Sequence, residues 1–337
     1  MSTVEENNKY MKELISSFPD NISDALNIAS KNKLKKTYPV FSNVVICGMG
    51  GSGIGGKLVA SWIASEINIP ITFCQDYTLP NFVNSKTLII SSSNSGNTEE
   101  TISSTDEAHN KGASIIAVCS GGKLEAFCKQ RNYEYIIVPG GKPPRTQLAY
   151  SIVQLTHIFA ELNIINKKKL TEFGLAAELL IHNSEEIHIQ AKEVASFVDK
   201  KELIIYCEAK DEAVAIRARQ QFNENSKILC NHHAIPEMNH NEMVGWYGGS
   251  DRYAVLFLDT NDWHIQNKKR LVFSRETIGT KTKSIKTLNA KGSSQLIKAL
   301  YLIHIIDWAS WYLAKKNDVD SIYIGVIDNL KEILQKQ

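Results

Sequence analysis

The feature that most constrains the fold is an alternation of short apolar runs with longer segments of helical spacing. The runs in the first half are rich in β-branched residues and lie at 44–47, 71–74, 87–90, 115–118 and 135–138. Continuous apolar runs of this kind are typical of strands buried on both faces. The segments between them, 55–66, 98–111 and 123–130, have the length of helices. Such strand–helix–strand alternation predicts a parallel sheet with helices on both sides.

The same alternation begins again in the second half. Residues 147–192 carry apolar residues at helical spacing with an interruption at 166–169, and a further helix is predicted over 211–225. The strand candidates are 203–207, 226–230, 253–258 and 284–288. A second sheet with its own helices is therefore expected.

The end of the chain adds a long helix. Ser293 or Ser294 can cap an apolar helix that runs to about Lys315. The lysine-rich segment 267–283 is interpreted as a solvated hairpin rather than a binding patch. The predicted organisation is an N-terminal domain with a leading helix, a helical connection and a C-terminal domain with C-terminal helices, at 1–155, 156–195 and 196–337.

Composition and charge exclude several classes of protein. Hydrophobic residues make up 43% and charged residues 22% of the 337 residues, as in globular proteins. The net charge of +2 gives no reason to expect nucleic acid or anionic lipid as a partner. No apolar stretch reaches the length of about 18 residues that is needed to span a bilayer. Residues 1–19 lack the apolar region of a signal peptide.

The cysteines indicate the compartment. No two form a Cys-x-x-Cys pair, and most lie in apolar strand-like runs. The six are Cys47, Cys74, Cys119, Cys128, Cys207 and Cys230. This pattern indicates buried thiols in a reducing compartment, so we expect a cytoplasmic protein.

A glycine-rich loop directly follows the first predicted strand. Residues 48–56 read GMGGSGIGG, with six glycines in nine positions. Between a strand and a helix, such a loop directs backbone N–H groups and a helix N-terminus at an anion. The loop lacks the Lys-Ser/Thr pair of a P-loop, and Asp76 follows the next strand too late for a dinucleotide site. A tight strand–helix turn without a ligand is the structural alternative.

A second loop, rich in hydroxyl groups, follows the strand at 87–90. Residues 91–101 read SSSNSGNTEET, and Ser93, Ser95 and Thr98 cluster around a glycine. Short hydroxyls and helix-terminal N–H groups together form a neutral cradle for a phosphate monoester. The absence of Lys and Arg favours a small phosphate ester over polyphosphate or nucleic acid.

Helix capping is the structural alternative for this second loop. Asn97 with Glu100 approximates a capping box, and Thr98 could cap the helix alone. Capping accounts for one side chain at the helix start, whereas the loop carries a cluster of hydroxyls.

Together the two loops resemble those of a sugar isomerase (SIS) domain, a phosphosugar-binding α/β module. Three further segments, PPRT at 143–146, NENSK at 223–227 and PEMNHNE at 236–242, are similar to those of the bifunctional phosphoglucose/phosphomannose isomerase family. The resemblance runs from about residue 40 to the C-terminus. It implies two SIS-type domains, each a mainly parallel sheet flanked by helices in the flavodoxin-like three-layer arrangement.

The resemblance also implies roles for individual residues. Those that bind the substrate phosphate are Gly51, Ser52, Ser93, Ser95 and Thr98. Glu224 matches the base that moves a proton between C1 and C2, and His240 matches the histidine that opens the sugar ring. Arg145 matches an arginine beside the enediolate, and Lys331 a C-terminal active-site lysine. In the family the neighbouring subunit supplies the histidine, which implies a homodimer.

The implied reaction interconverts glucose 6-phosphate and fructose 6-phosphate, a step of glycolysis and gluconeogenesis, through a cis-enediolate. Ring opening needs an acid–base group near neutrality, and histidine is such a group. One carboxylate can remove a proton and return it one carbon away, while a guanidinium stabilises the enediolate. No His, Cys or Glu set has metal-ligand spacing, so we expect neither a metal nor a cofactor.

One segment departs from the family pattern. Members that use both glucose and mannose 6-phosphate resemble one another in a Thr shortly before the C-terminal lysine, and here Ile322 occupies that place. Asp320-Ser321 replaces the usual Asp-Pro pair. The departure weakens the expectation of activity on mannose 6-phosphate more than that of activity on glucose 6-phosphate. It also weakens the placement of Lys331.

Three other functions stay open at this point. An amino-sugar isomerase or another phosphosugar enzyme could use the same domain, although the spacing of Glu224 and His240 favours the first reading. A non-catalytic phosphosugar sensor usually carries a basic DNA-binding module, and the chain shows none. A nicotinamide dehydrogenase would follow from a dinucleotide-binding first loop, against which the hydroxyls of the second loop argue.

Overall fold

The structure is a computed structural model that describes residues 3–334. Helices α1–α13 span Val4–Ser16, Phe18–Lys31, Gly50–Ile63, Glu99–Asn110, Gly122–Arg131, Leu148–Glu161, Thr171–His182, Ser184–Val198, Glu212–Ser226, Glu242–Gly245, Ile265–Gly279, Gln295–Lys316 and Gly325–Leu334. Strands β1–β9 span Asn43–Cys47, Ile71–Cys74, Thr87–Ser93, Ser114–Cys119, Glu134–Ile137, Glu202–Glu208, Cys230–Ile235, Tyr253–Asp259 and Ile285–Asn289. None of the helices in this range is long and apolar enough to cross a membrane.

The first sheet has the strand order β2-β1-β3-β4-β5, and all its strands are parallel. Its central strand β3 is buried at every position, which explains its continuous run of apolar and small residues. The direction in which successive strands are added reverses between β1 and β3. The chain places β2 on one side of β1 and then returns to place β3 on the other side. This position is the topological switch point at which open α/β sheets bind ligands.

The second sheet has the order β7-β6-β8-β9, again with all strands parallel. It repeats the order of the first four strands of the first sheet. Its core includes Tyr206, Phe257 and Trp246, all buried. Two parallel sheets flanked by helices confirm the predicted α/β fold.

The chain divides into two compact units. One comprises residues 18–181 and 294–297 and contains the first sheet; the other comprises 1–17, 182–293 and 298–337 and contains the second. Within the first unit, α6 packs against α2 and α3. The domain boundaries expected near residues 155 and 196 stay a prediction.

Three of the predicted elements are wrong. The first loop was expected over 48–56 and its helix over 55–66, but α3 begins at Gly50, so only Gly48 and Met49 lie between β1 and α3. Residues 226–230 were expected to form a strand, but α9 continues through Ser226, ends at Lys227 in a left-handed conformation, and β7 begins at Cys230. The segment 267–283 is mostly the helix α11, not a hairpin. Leu271 and Ile278 are seven residues apart, so they lie on the same face of a helix, and both are buried.

Other predictions about the packing are confirmed. All six cysteines, which lie within the described residues, are buried. Ser294 caps α12, since its hydroxyl accepts a hydrogen bond from Ile297 N at 3.3 Å. The predicted interruption in the helical segment before the second sheet is a 3₁₀ turn at Lys167–Leu170.

Candidate functional site

The N-terminus of α3 and the loop after β3 meet at the carboxyl edge of the first sheet. Asn94 N donates a hydrogen bond to Ser52 Oγ at 3.1 Å. A Cβ atom on Gly48 would lie 2.8 Å from the carbonyl oxygen of Ser92 in β3, so the chain between β1 and α3 passes too close to β3 for a side chain at Gly48. The structure therefore places the two predicted loops together at the switch point.

The hydroxyl groups of the second loop bond to the loop itself. Ser93 Oγ lies 2.9 Å from Thr98 Oγ1 and accepts a hydrogen bond from Gly96 N at 3.1 Å. Ser95 Oγ accepts one from Asn97 N at 3.2 Å. The three predicted hydroxyls are thus drawn around the N-terminus of α4.

Neither of the two predicted capping side chains caps α4. Thr98 is the N-cap residue, with extended backbone, yet its hydroxyl makes no capping hydrogen bond. Asn97 instead accepts a hydrogen bond from Lys123 N at 3.0 Å and donates to Ser95 O at 3.2 Å. Helix capping therefore does not explain the hydroxyl groups of this loop. Because the Thr98 side chain accepts no hydrogen bond from α4, the first N–H groups of this helix can donate to a different acceptor.

The segment between β4 and α5 fixes this loop. Ser120 N donates to Asn94 O, and Leu124 N donates to Gly96 O, both at 2.9 Å. Gly96 has a φ of +67°, and a Cβ atom there would lie 1.8 Å from Gly121 O. Only glycine fits at Gly96, because the backbone is left-handed and another backbone stands against it.

The turn that carries Arg145 contacts the first turn of α3. Arg145 lies in a 3₁₀ turn, Pro144–Thr146, and its side chain is buried. A Cβ atom on Gly51 would lie 3.0 Å from Pro144 O. Gly51, Ser52 and the arginine turn are therefore brought together beside the hydroxyl cluster.

Gln147, which was not among the predicted site residues, lines a small cavity here. The cavity is bounded by Gly51, Ser52, Ser92, Asn94, Val118, Val138, Pro144, Gln147, Tyr150 and Ser151. Gln147 is buried, and its Oε1 has no hydrogen-bond partner among residues 3–334. Its position directly after the Pro-Pro-Arg-Thr segment is the signal that could have drawn attention to it.

The other three predicted residues, Glu224, His240 and Lys331, belong to the second unit. Glu224 lies in the last turn of α9 and is partly buried. Lys331 lies on α13, is exposed, and pairs with Asp328 at 3.4 Å. Ile322, at the place of the family's threonine, is partly buried, and its N–H donates to Asp320 Oδ1 at 2.8 Å.

His240 is exposed, and the segment around it is anchored to the second sheet by Glu242. One Glu242 oxygen bonds to His233 Nδ1 at 2.8 Å and the other accepts from the hydroxyl of Tyr206. Burial raises the pKa of Tyr206 far above its usual range, so this hydroxyl stays a donor. Trp246 Nε1 donates to the same hydroxyl at 2.9 Å.

The chemistry available here is acid–base chemistry with anion binding. Within residues 3–334, no group of three or more His, Cys, Asp or Glu is arranged to hold a metal ion. The first unit offers neutral donors for an anion beside a buried guanidinium. The second offers a carboxylate at a helix end and an exposed imidazole.

The sequence is similar to characterised families along almost its whole length. The bacterial phospho-glucose isomerase C-terminal SIS domain matches residues 187–334. The bifunctional phosphoglucose/phosphomannose isomerase of Caldicellulosiruptor bescii is 32% identical over 96% of this chain and 98% of its own. The enzyme of the same name from Thermoplasma acidophilum is 34% identical over 87% of this chain and 89% of its own.

Solved structures show the same fold at low sequence identity. The C-terminal domain of glucosamine-fructose-6-phosphate aminotransferase from Francisella tularensis superposes with a TM-score of 0.73 at 14% identity, covering 92% of this chain and 97% of that one. Tagatose-6-phosphate ketose/aldose isomerase from Escherichia coli gives 0.69 at 13% identity, covering 94% and 95%. By its sequence identity and coverage, the chain belongs to the bifunctional phosphoglucose/phosphomannose isomerase family.

Proposed function

We propose that the protein is an aldose–ketose isomerase that interconverts glucose 6-phosphate and fructose 6-phosphate, and that it also accepts mannose 6-phosphate. The observation that carries this proposal is the hydroxyl cluster of Ser93, Ser95 and Thr98 at the uncapped N-terminus of α4. A phosphate monoester is the small anion that such a neutral cradle suits best. The family's two named substrates are hexose monophosphates of this kind.

The phosphate lies, in this proposal, against Ser52 and Gly51 on one side and the hydroxyl cluster on the other. Ser52 Oγ already bonds to the second loop through Asn94 N, at 3.1 Å. A phosphate held here positions the sugar, because the binding energy of a remote group fixes the reacting carbons. Arg145, buried in the neighbouring turn, stabilises the enediolate.

Glu224 removes the proton from one carbon and returns it to the next, and His240 opens the ring. A carboxylate at a helix end, partly shielded from water, is suited to proton transfer at carbon. Lys331 is assigned to the active site through the family pattern alone. Its side chain is exposed and pairs with Asp328, three residues earlier on α13.

A homodimer is part of the proposal. His240 is exposed, and the same segment exposes Val244 at 70% and Tyr247 at 86% of their surface. Exposed apolar side chains next to a functional histidine suit a surface that a second copy covers. We place the enzyme in the cytoplasm, in glycolysis and gluconeogenesis, on the basis of its buried thiols and its reaction.

Two parallel assays test the proposal, one with glucose 6-phosphate and one with mannose 6-phosphate. Each measures the formation of fructose 6-phosphate, or the reverse reaction from fructose 6-phosphate. Turnover of glucose 6-phosphate that survives dialysis against EDTA is expected, with slower turnover of mannose 6-phosphate because Ile322 stands in place of threonine. Binding without turnover would indicate a sensor. Turnover of glucosamine 6-phosphate alone would indicate an amino-sugar enzyme.

A further inference from the structure

Helix α9 meets α12 through a buried polar face, and the partly buried Glu224 lies beside that face in the last turn of α9. Arg217, Gln221 and Asn225 recur at intervals of four residues and therefore share one side of α9. Their exposed fractions are only 1%, 1% and 0%. Glu224 follows Arg217 by seven residues, so it lies on the same side, in the last turn. Buried polar side chains need partners, and α12 supplies them.

Asp307 on α12 is the partner of the first two residues. Arg217 Nη2 donates to its two carboxylate oxygens at 3.3 and 3.1 Å, and Gln221 Nε2 donates to Oδ1 at 2.8 Å. These bonds fix the middle of α9 against α12.

Ser310, one turn further along α12, is the partner of the two residues that follow Glu224. Asn225 Nδ2 donates to Ser310 Oγ at 2.9 Å, and Ser226 Oγ donates to Ser310 O at 2.7 Å. Ser310 Oγ in turn donates to Asp307 O at 2.8 Å, and Ser310 is completely buried. The last turn of α9 is therefore attached to one residue of α12 through the two residues that directly follow Glu224.

We propose that Ser310 is a positioning residue for Glu224, acting through Asn225. The proposal rests on the function proposed above, in which one carboxylate serves two adjacent carbons. A shift of about 1 Å in such a group costs on the order of 10²-fold in rate, so the end of a helix, which otherwise frays, needs a fixed anchor. The buried hydroxyl of Ser310 provides it.

Replacing Ser310 with alanine tests this role. Ser310→Ala removes the acceptor of Asn225 but keeps the backbone oxygen that Ser226 bonds. We expect kcat to fall about tenfold with KM changed less than about twofold. With deuterium at C2 of glucose 6-phosphate, the fraction of deuterium found at C1 of fructose 6-phosphate should fall together with kcat. The reason is that a displaced carboxyl group exchanges the abstracted deuteron with water more often before returning it.

Controls separate positioning from stability. Ser310→Thr keeps the hydroxyl and should restore label transfer, and Ser310→Cys, which leaves no cavity, should behave as Ser310→Ala. Thr282→Val removes another buried hydroxyl of the same unit, which donates to Tyr253 O at 2.9 Å, and should lower stability without changing label transfer.

The outcomes distinguish this inference from the proposed function. If Glu224→Gln is inactive while Ser310→Ala and Ser310→Cys keep wild-type kcat and label transfer, the positioning role is wrong and the base assignment stands. If Glu224→Gln retains activity, the base assignment itself is wrong. Equal loss of label transfer in Thr282→Val would also overturn the positioning role, because lost stability would then explain both.

Discussion

The hydroxyl oxygens of Ser93 and Thr98 lie 2.9 Å apart. Ser93 ends β3 and Thr98 precedes α4, so this pair joins the last residue of a buried strand to the N-cap of a helix. The hydroxyl of an N-cap threonine ordinarily bonds to the helix it begins. Here it bonds to a serine instead, which leaves the helix N-terminus to a ligand.

Removing the hydroxyl of Thr98 should weaken phosphate binding. In Thr98→Val we expect KM for glucose 6-phosphate to rise about 10- to 100-fold with kcat little changed, because a hydrogen bond to a charged group contributes about 1.5–3 kcal/mol. Steady-state kinetics measure both constants. The control is Ser103→Ala, which removes an exposed hydroxyl of the same helix that donates to Tyr77 O at 2.9 Å. An equal KM in the two variants would contradict the cradle.

Gly96 should tolerate no side chain. In Gly96→Ala the new Cβ would meet Gly121 O at 1.8 Å, so the loop has to move and phosphosugar binding should be lost. Gly112→Ala is the matched control: its φ of +70° is the same within a few degrees, but its nearest atom would be Ser85 Cβ at 3.9 Å. The control should lower stability by about 1 kcal/mol and leave the affinity for fructose 6-phosphate unchanged. Calorimetric titration with fructose 6-phosphate, alongside urea unfolding, checks both.

Glu224→Gln should separate binding from chemistry. The amide keeps the size of the side chain but cannot take a proton from carbon, so kcat should fall by about 10²–10⁴-fold. Calorimetric titration should give nearly the wild-type affinity for fructose 6-phosphate. Glu212→Gln, at the exposed opposite end of the same helix, should keep wild-type kcat. Retained turnover in Glu224→Gln would remove this residue from the mechanism.

His304 should make the protein less stable in acid. Burial, together with a smaller contribution from neighbouring His188, lowers the pKa of His304 to about 3. Its Nε2 accepts a hydrogen bond from Trp308 Nε1 at 3.2 Å, which a protonated ring could not do. The unfolded chain therefore binds the proton first as the pH falls below about 6.5, and the stability contributed by this group declines by about 1.4 kcal/mol per pH unit down to about pH 3.

Urea unfolding at pH 7.5 and pH 5 measures this decline. The wild-type protein should lose about 2 kcal/mol of unfolding free energy more than His304→Met over this interval. The variant also lacks the Trp308 bond, so its absolute stability is lower, and only the difference between the two pH values is diagnostic. An identical difference in both proteins would show that His304 does not titrate on unfolding.

Local patterns predicted the first sheet well. β2 begins and ends where its apolar run does, and α4 lies within the predicted helix 98–111. The two loops were recognised because glycines and hydroxyls at a strand–helix junction have a local chemical meaning. The prediction of β3 was too short, because Ser91–Ser93 are polar and yet form buried strand.

The missed features depend on distant partners. The local pattern at 226–230 predicts a strand, because nothing local shows that Asn225 and Ser226 bond to Ser310, 85 and 84 residues away respectively, and so extend the helix. α11 was missed because its surface is lysine-rich and only a narrow face of the helix is buried. Gln147 was missed because a glutamine has no chemistry that marks it in isolation.

A crystal structure of the protein with fructose 6-phosphate tests the central claim most directly. The account predicts the phosphorus atom within hydrogen-bonding reach of the hydroxyls of Ser95 and Thr98, with the N-terminus of α4 directed at it. A phosphate bound away from both glycine-bearing loops would contradict the account.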